Sequence, residues 1–159
     1  SKRHKTQNSI TLETVDLRNF KYPWKDNTFD FIVVSEVFEH LIPADLPSIV
    51  AELTRTLKKD GQLIVTTPNI ASLLKRINLL LGKNPIEFDL TLHENATYGH
   101  IREYTMTELA AILQNAGLSV TKQGYYEIDT NHSIFTRIEN LAAKAIPALG
   151  NNLLCVGTK

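Results

Sequence analysis

Cysteine is nearly missing from this chain: Cys155 stands alone among 159 residues. A lone thiol excludes an intrachain disulfide and a multi-thiolate metal cluster, and it points to a reducing, cytoplasmic compartment. Excess charge is missing as well, because 17 basic residues offset 17 acidic ones. This balance argues against a dedicated nucleic-acid surface, although a local basic patch is compatible with it. No apolar run reaches the roughly 18 residues that a membrane-spanning helix needs, and no stretch reads as a secretory signal. The expectation is a soluble chain, or one peripheral to a membrane. Internal repeats, low-complexity tracts and interdomain linkers are also absent, so residues 1–159 read as a single domain with one core. Glycine does not occur before Gly61, which denies the first third of the chain any glycine-dependent turn. The opening SKRHKTQNS is polar and basic, lacks an initiator methionine and reads as a cut end, so an N-terminally truncated domain is expected.

What is present alternates between strand and helix signals. Ile10, Leu12 and Val15 alternate with polar residues and predict a strand ending at Asp16. Phe31 to Val34 is a continuous, mostly β-branched run that suits a central parallel strand covered on both faces. Pro43 fits a first helical turn, and Leu46, Ile49, Val50, Leu53 and Leu57 follow at helical spacing. Gly61 is expected to take a left-handed turn before a strand at Leu63 to Thr66, which Pro68 stops. Ile70 to Leu81 and Ile134 to Ile146 each carry an apolar helical stripe, read as core, although either could cover a greasy substrate or touch a membrane surface. Residues 83–102 read as a long loop. Thr105 and Glu108 make a capping box ahead of Leu109, Ile112, Leu113 and Ala116, with Gly117 as the stop. Strands at Leu118 to Lys122 and Leu153 to Val156 complete the pattern, with Cys155 read as buried.

Such alternation predicts an α/β fold with a Rossmann-like, mostly parallel sheet and helices on both faces. Ligands of these sheets sit beyond the carboxyl ends of the strands. On that rim lie Asp16, Ser35 to His40, and Thr67 to Asn69.

The pieces VDLRNF, NTFDFIVVSEVFEHL, ELTRTLKKDGQLIVTTPN and GHIREYTMTELAAILQNAGL together resemble the class I S-adenosylmethionine-dependent methyltransferases of the small single-domain type. The resemblance implies a seven-stranded sheet with an antiparallel last strand and the methyl donor at its rim. It implies that Asp16 accepts from the adenine amino group, that Leu17 covers the ring, and that Ser35 and Glu36 meet the methionine part. The structural alternatives are a turn role for Asp16 and a helix cap for Ser35. The family's glycine-rich donor loop, its ribose-binding acidic residue and its first strands are missing. A chain starting here would expose an apolar sheet edge open to self-association. The implied acceptor is a small molecule, a lipid-linked precursor or a glycan; a non-catalytic domain of the same fold is the alternative.

Within SEVFEHL, Glu36, Glu39 and His40 have the i, i+3, i+4 spacing of one helix face. Two carboxylates and an imidazole suit Mg²⁺, Mn²⁺ or Zn²⁺. The local pattern also resembles metal-assisted O-methyltransferases, including those acting on polyprenyl quinone precursors and on RNA 3′ ends. In the latter group a further histidine precedes an aromatic-threonine pair, and His100 in HIREYT matches it. A bound cation lowers the pKa of an acceptor hydroxyl, which favours an oxygen acceptor. Without metal, His40 and Glu39 are the candidate catalytic pair, with His40 as general base or as an orienting group. His100 could equally be a loop residue, Arg102 and Tyr104 could close over the acceptor or serve loop packing, and His93 and His132 read as surface.

Overall fold

The computed structural model describes residues 10–86, 99–126 and 134–159. Its elements run β1 (Phe29–Ser35), α1 (Leu46–Thr56), β2 (Leu57–Pro68), α2 (Leu73–Leu80), α3 (Met106–Asn115), β3 (Ser119–Tyr126), α4 (Ile134–Ala145) and β4 (Asn152–Thr158), with single 3-10 turns at Leu17–Asn19, Phe38–His40 and Pro147–Leu149. The strands form one sheet in the order β1-β2-β4-β3. Only β1 and β2 are parallel; β4 runs antiparallel to both β2 and β3. Among the described residues the sheet is therefore mixed rather than mostly parallel. The antiparallel last strand is as expected, and the described residues supply four of the seven implied strands.

Helix α1 packs on β2, and α3 packs on β3 and β4. These contacts bury Ile49, Val50 and Leu53 of α1 and Leu109 and Leu113 of α3 against Leu63, Val65, Leu153 and Cys155 of the sheet. Burial pushes the Cys155 thiol up to about 11, which makes it an unreactive core group. The core thus lies on one face of the sheet. On the other, Phe31 and Val33 are 64% and 63% exposed, and Ile64 and Leu154 are only half-buried. The apolar run of β1 was expected to be central and doubly covered, yet among the described residues β1 is an edge. The predicted strand at residues 10–15 does not form, since no strand among the described residues pairs with it; Ile10 and Leu12 are exposed, while Val15 packs on the core.

Local chemistry explains further differences. Pro47, not Pro43, occupies the first turn of α1. Asp60, not Gly61, takes the left-handed conformation, with φ 64. Glycine is required at 61 for space, since a Cβ there would stand 2.8 Å from the Lys58 carbonyl oxygen. The capping box of α3 forms with both reciprocal bonds. The largest correction concerns α2 and α4. Their apolar stripes were read as core, but Ile77, Leu80, Leu81, Ile134, Ile138 and Leu141 are exposed.

Candidate active site

The site grows from the carboxyl ends of β1 and β2. Ser35 ends β1 opposite Thr66, and their hydroxyls are 2.9 Å apart. Glu36 follows in the left-handed region, φ 53, held there by its N–H donating to the Thr66 carbonyl at 3.0 Å. A non-glycine residue rarely adopts this conformation, and such strain concentrates at functional turns. The chain then makes one 3-10 turn, anchored by the fully buried Phe38. Glu36, Glu39 and His40 therefore do not share a helix face. Glu36 is turned away and accepts from the Tyr126 hydroxyl at 2.9 Å.

Glu39 is buried. Its Oε2 accepts from Thr67 Oγ1 at 3.0 Å, while Oε1 has no hydrogen-bond partner among the described residues. Burial pushes its carboxyl above the ordinary range, against the opposing effect of its hydrogen bonds. The segment carrying His100 clamps over this turn, with the Ile101 and Arg102 N–H groups donating to the Glu39 carbonyl at 2.7 and 3.3 Å. The clamp brings two histidines, sixty positions apart in the chain, to 5.1 Å between ring centroids, edge to face.

Their hydrogen bonds define the tautomers. His40 Nδ1 lies 3.3 Å from the Gly99 carbonyl oxygen, which can only accept, so Nδ1 carries the proton. His100 Nδ1 lies 2.8 Å from Glu103 Oε1, and buried Glu103 also receives Lys75 Nζ. In the neutral form of each imidazole, Nε2 is then the nitrogen that carries the lone pair. His40 Nε2 stands 3.7 Å from Glu39 Oε1. Ligand atoms of Glu39, His40 and His100 all lie within 4.8 Å of one another, a grouping that can hold a metal ion; Glu36 does not belong to it. The donor set fits a transition-type cation, and the partnerless Oε1 is an observation in its favour.

Asp16 and Leu17 line a recess of about 450 Å³ with Val15, Arg18, His40, Leu41, Ile42 and Asp45. Asp16 caps the neighbouring turn: Oδ1 accepts from the Arg18 N–H and Nε, both at 3.0 Å, and Oδ2 from the guanidinium at 2.8 Å. These bonds hold its carboxyl at about 2. Its turn role is thus real, and Oδ2 retains acceptor capacity toward the recess. A second recess of about 410 Å³ is lined by Tyr125, Tyr126, Ala143, Lys144, Pro147 and Gly150.

Tyr104 is core, its hydroxyl buried without a partner among the described residues, and Arg102 lies 5.5 Å above its ring and pairs with Glu108. Loop packing therefore describes both residues. His93 and His132 lie outside the described residues, as does most of the long loop. Sequence reasoning missed Glu103, Lys75 and Tyr126. The one available signal was Lys75, which sits opposite the apolar stripe of α2 and so had to point inward if the stripe pointed out.

A family profile described as a methyltransferase domain matches residues 2–123, and the chain belongs to that family. Solved structures share its fold at low identity. A SAM-dependent methyltransferase from Archaeoglobus fulgidus is 18% identical with a TM-score of 0.59, over 92% of this chain and 66% of that one. A chain from the complex between the Haloferax volcanii Trm112 methyltransferase activator and a methyltransferase is 17% identical with a TM-score of 0.57, over 91% and 58%. A SAM-dependent methyltransferase from Aquifex aeolicus is 15% identical with a TM-score of 0.53, over 93% and 54%. The chain thus spans less than two thirds of the length of these relatives.

Proposed function

We propose that this domain serves an S-adenosylmethionine-dependent O-methyltransferase whose acceptor is a small molecule, a lipid-linked precursor or a glycan. Family membership supports the donor, and the recess at Asp16 and Leu17 fits its adenine end. Ser35 and Glu36, at the strained end of β1, suit the methionine part. Together these residues would supply the adenine and methionine contacts of the donor site.

The observation that carries the oxygen acceptor is the grouping of Glu39, His40 and His100, with both Nδ1 atoms engaged and Glu39 Oε1 unpartnered. These three would hold a divalent cation, and two imidazoles with one carboxylate favour Mn²⁺ or Zn²⁺ over Mg²⁺. When bound, the ion supplies Lewis-acid chemistry that lowers an acceptor hydroxyl's pKa. The chain's own residues do the rest. Glu103 and Gly99 fix the imidazole tautomers, Thr67 orients Glu39, and the clamp at 99–102 shields the turn. In transfer, the acceptor oxygen attacks the methyl carbon, the carbon–sulfur bond breaks, and its electron pair stays on sulfur. In a metal-free site, the hydroxyl proton goes to His40 Nε2.

Titrating Mn²⁺ into the wild type and Glu39→Ala tests the cation: equal affinity would rule the site out. Calorimetry with S-adenosylmethionine on the complete gene product tests the enzyme reading. A folded protein without donor binding would establish the rival, a non-catalytic domain of the same fold. A chain that truly lacked the family's first strands would also invite self-association through the edge of β1.

A further inference from the structure

Helices α2 and α4 are inverted relative to ordinary surface helices. In α4, Ile134, Ile138, Leu141 and Ala145 recur at helical spacing and face solvent, whereas the charged Glu139 is buried and accepts from the Leu74 N–H of α2 at 3.1 Å. In α2, Ile77, Leu80 and the following Leu81 are exposed, whereas Lys75 points inward to Glu103. The two helices pack on each other, so their outward stripes join into one apolar face. Contiguous exposed apolar surface of this kind marks an interaction site.

Charge decides what kind. Residues 70–86 contain Lys75, Arg76 and Lys83 and no carboxylate, and residues 134–149 contain Arg137, Lys144 and only the buried Glu139. Arg76, Lys83, Arg137 and Lys144 are all exposed. Two adjoining helices with apolar outward faces, flanking cations and their single carboxylate, Glu139, turned inward match the requirements of an interfacial membrane anchor, where the stripe enters the acyl boundary and long cationic side chains reach the headgroups. We propose that the α2/α4 face docks the protein on an anionic lipid bilayer. A second copy of the chain is a poorer occupant, since it would set cations against cations. The face adjoins the candidate site, because Lys75 on the inner side of α2 reaches the Glu103 that holds His100. The proposal stands without the transfer chemistry.

The test is co-sedimentation of the complete protein with phosphatidylcholine vesicles, with and without about one-third phosphatidylglycerol. Wild type should pellet with the anionic vesicles, less so at high salt. Arg76→Gln with Lys83→Gln should weaken binding roughly fivefold per charge removed. Leu80→Ser with Leu141→Ser should weaken it more than about tenfold. Leu80 and Leu141 are 85% and 70% exposed, so an unchanged melting temperature will show that these variants fold. Three outcomes overturn the proposal: no pelleting with anionic vesicles, no preference for them, or serine variants that bind like wild type. Light scattering supplies a fourth: a wild-type dimer that the serine variants make monomeric would assign the face to a second copy.

Discussion

Two charged clusters in this molecule have opposite designs. Around Glu52, every charge is answered. Arg55 donates to Oε1 and Oε2 at 2.7 and 2.8 Å, Tyr22 N–H donates to Oε1 at 2.6 Å, and Arg55 also pairs with Asp26. The Arg55 guanidinium holds the Glu52 carboxyl below its ordinary range. Around Glu39 one oxygen is left over, and burial pushes the carboxyl up instead. Both carboxylates are buried, so burial alone does not separate structure from function. Whether the charge is answered does, because an unanswered buried charge persists only where something else selects for it.

The largest effect should come from breaking the answered cluster. Glu52→Ala leaves the buried Tyr22 N–H without its acceptor and removes one of the Arg55 partners, while Arg55 keeps Asp26 and the Trp24 carbonyl. The unpaired buried N–H should cost about 2 kcal/mol, read as a lowered urea midpoint, with Mn²⁺ affinity unchanged. Acid should do the same to the wild type. A carboxyl whose pKa is depressed on folding contributes stability above its unfolded value, 4.5, and loses it as pH falls through the lower folded value. Stability should therefore begin to fall as pH drops below about 4.5 in the wild type, and less steeply in Glu52→Gln. Equal slopes would mean that Glu52 is not the answered charge described here.

The unanswered cluster should respond in the opposite sense. Glu39→Gln removes a buried ionisable group without a full set of partners, so the apo protein should become more stable at neutral pH while Mn²⁺ affinity falls. A loss of stability would show that Glu39 is structural. Glu103→Gln tests the orientation of His100 and should weaken Mn²⁺ binding by about tenfold. An unchanged affinity would remove His100 from the set.

How much of this was legible depends on the range over which each feature is determined. The capping box at Thr105 and Glu108 is local chemistry within one turn, and it reads directly. The apolar runs of β1, β2 and β4 identify strands because burial needs them, but nothing in Phe31 to Val34 says that one face stays open. Periodicity located the stripes of α2 and α4 without saying which side is buried; the inward Lys75 and Glu139 decide that. The helical spacing of Glu36, Glu39 and His40 misled because Glu36 takes a positive φ and the chain makes only one 3-10 turn. The meeting of His40 with His100 depends on the Ile101 and Arg102 N–H groups finding the Glu39 carbonyl, a tertiary contact that no spacing rule contains.

The smallest effect belongs to a carboxylate that is answered yet neighbours the site. Glu108 accepts from the Thr105 N–H and hydroxyl, each at 2.9 Å, and pairs with Arg102, and these bonds hold its carboxyl below the ordinary range. Its Thr105 contacts lie within the helix start, and only its pairing with Arg102 reaches the segment that clamps Glu39. Thr105→Ala removes the cap and should cost about 1 kcal/mol, seen as a melting temperature lower by about 3 °C for a chain of this size. Because the clamp on Glu39 is made by residues 101 and 102 rather than by the cap, Mn²⁺ affinity should hold within about twofold. A loss as large as that of Glu103→Gln would mean that the cap and the site are one cooperative unit, and the contrast between answered and unanswered charge would then describe two ends of the same network.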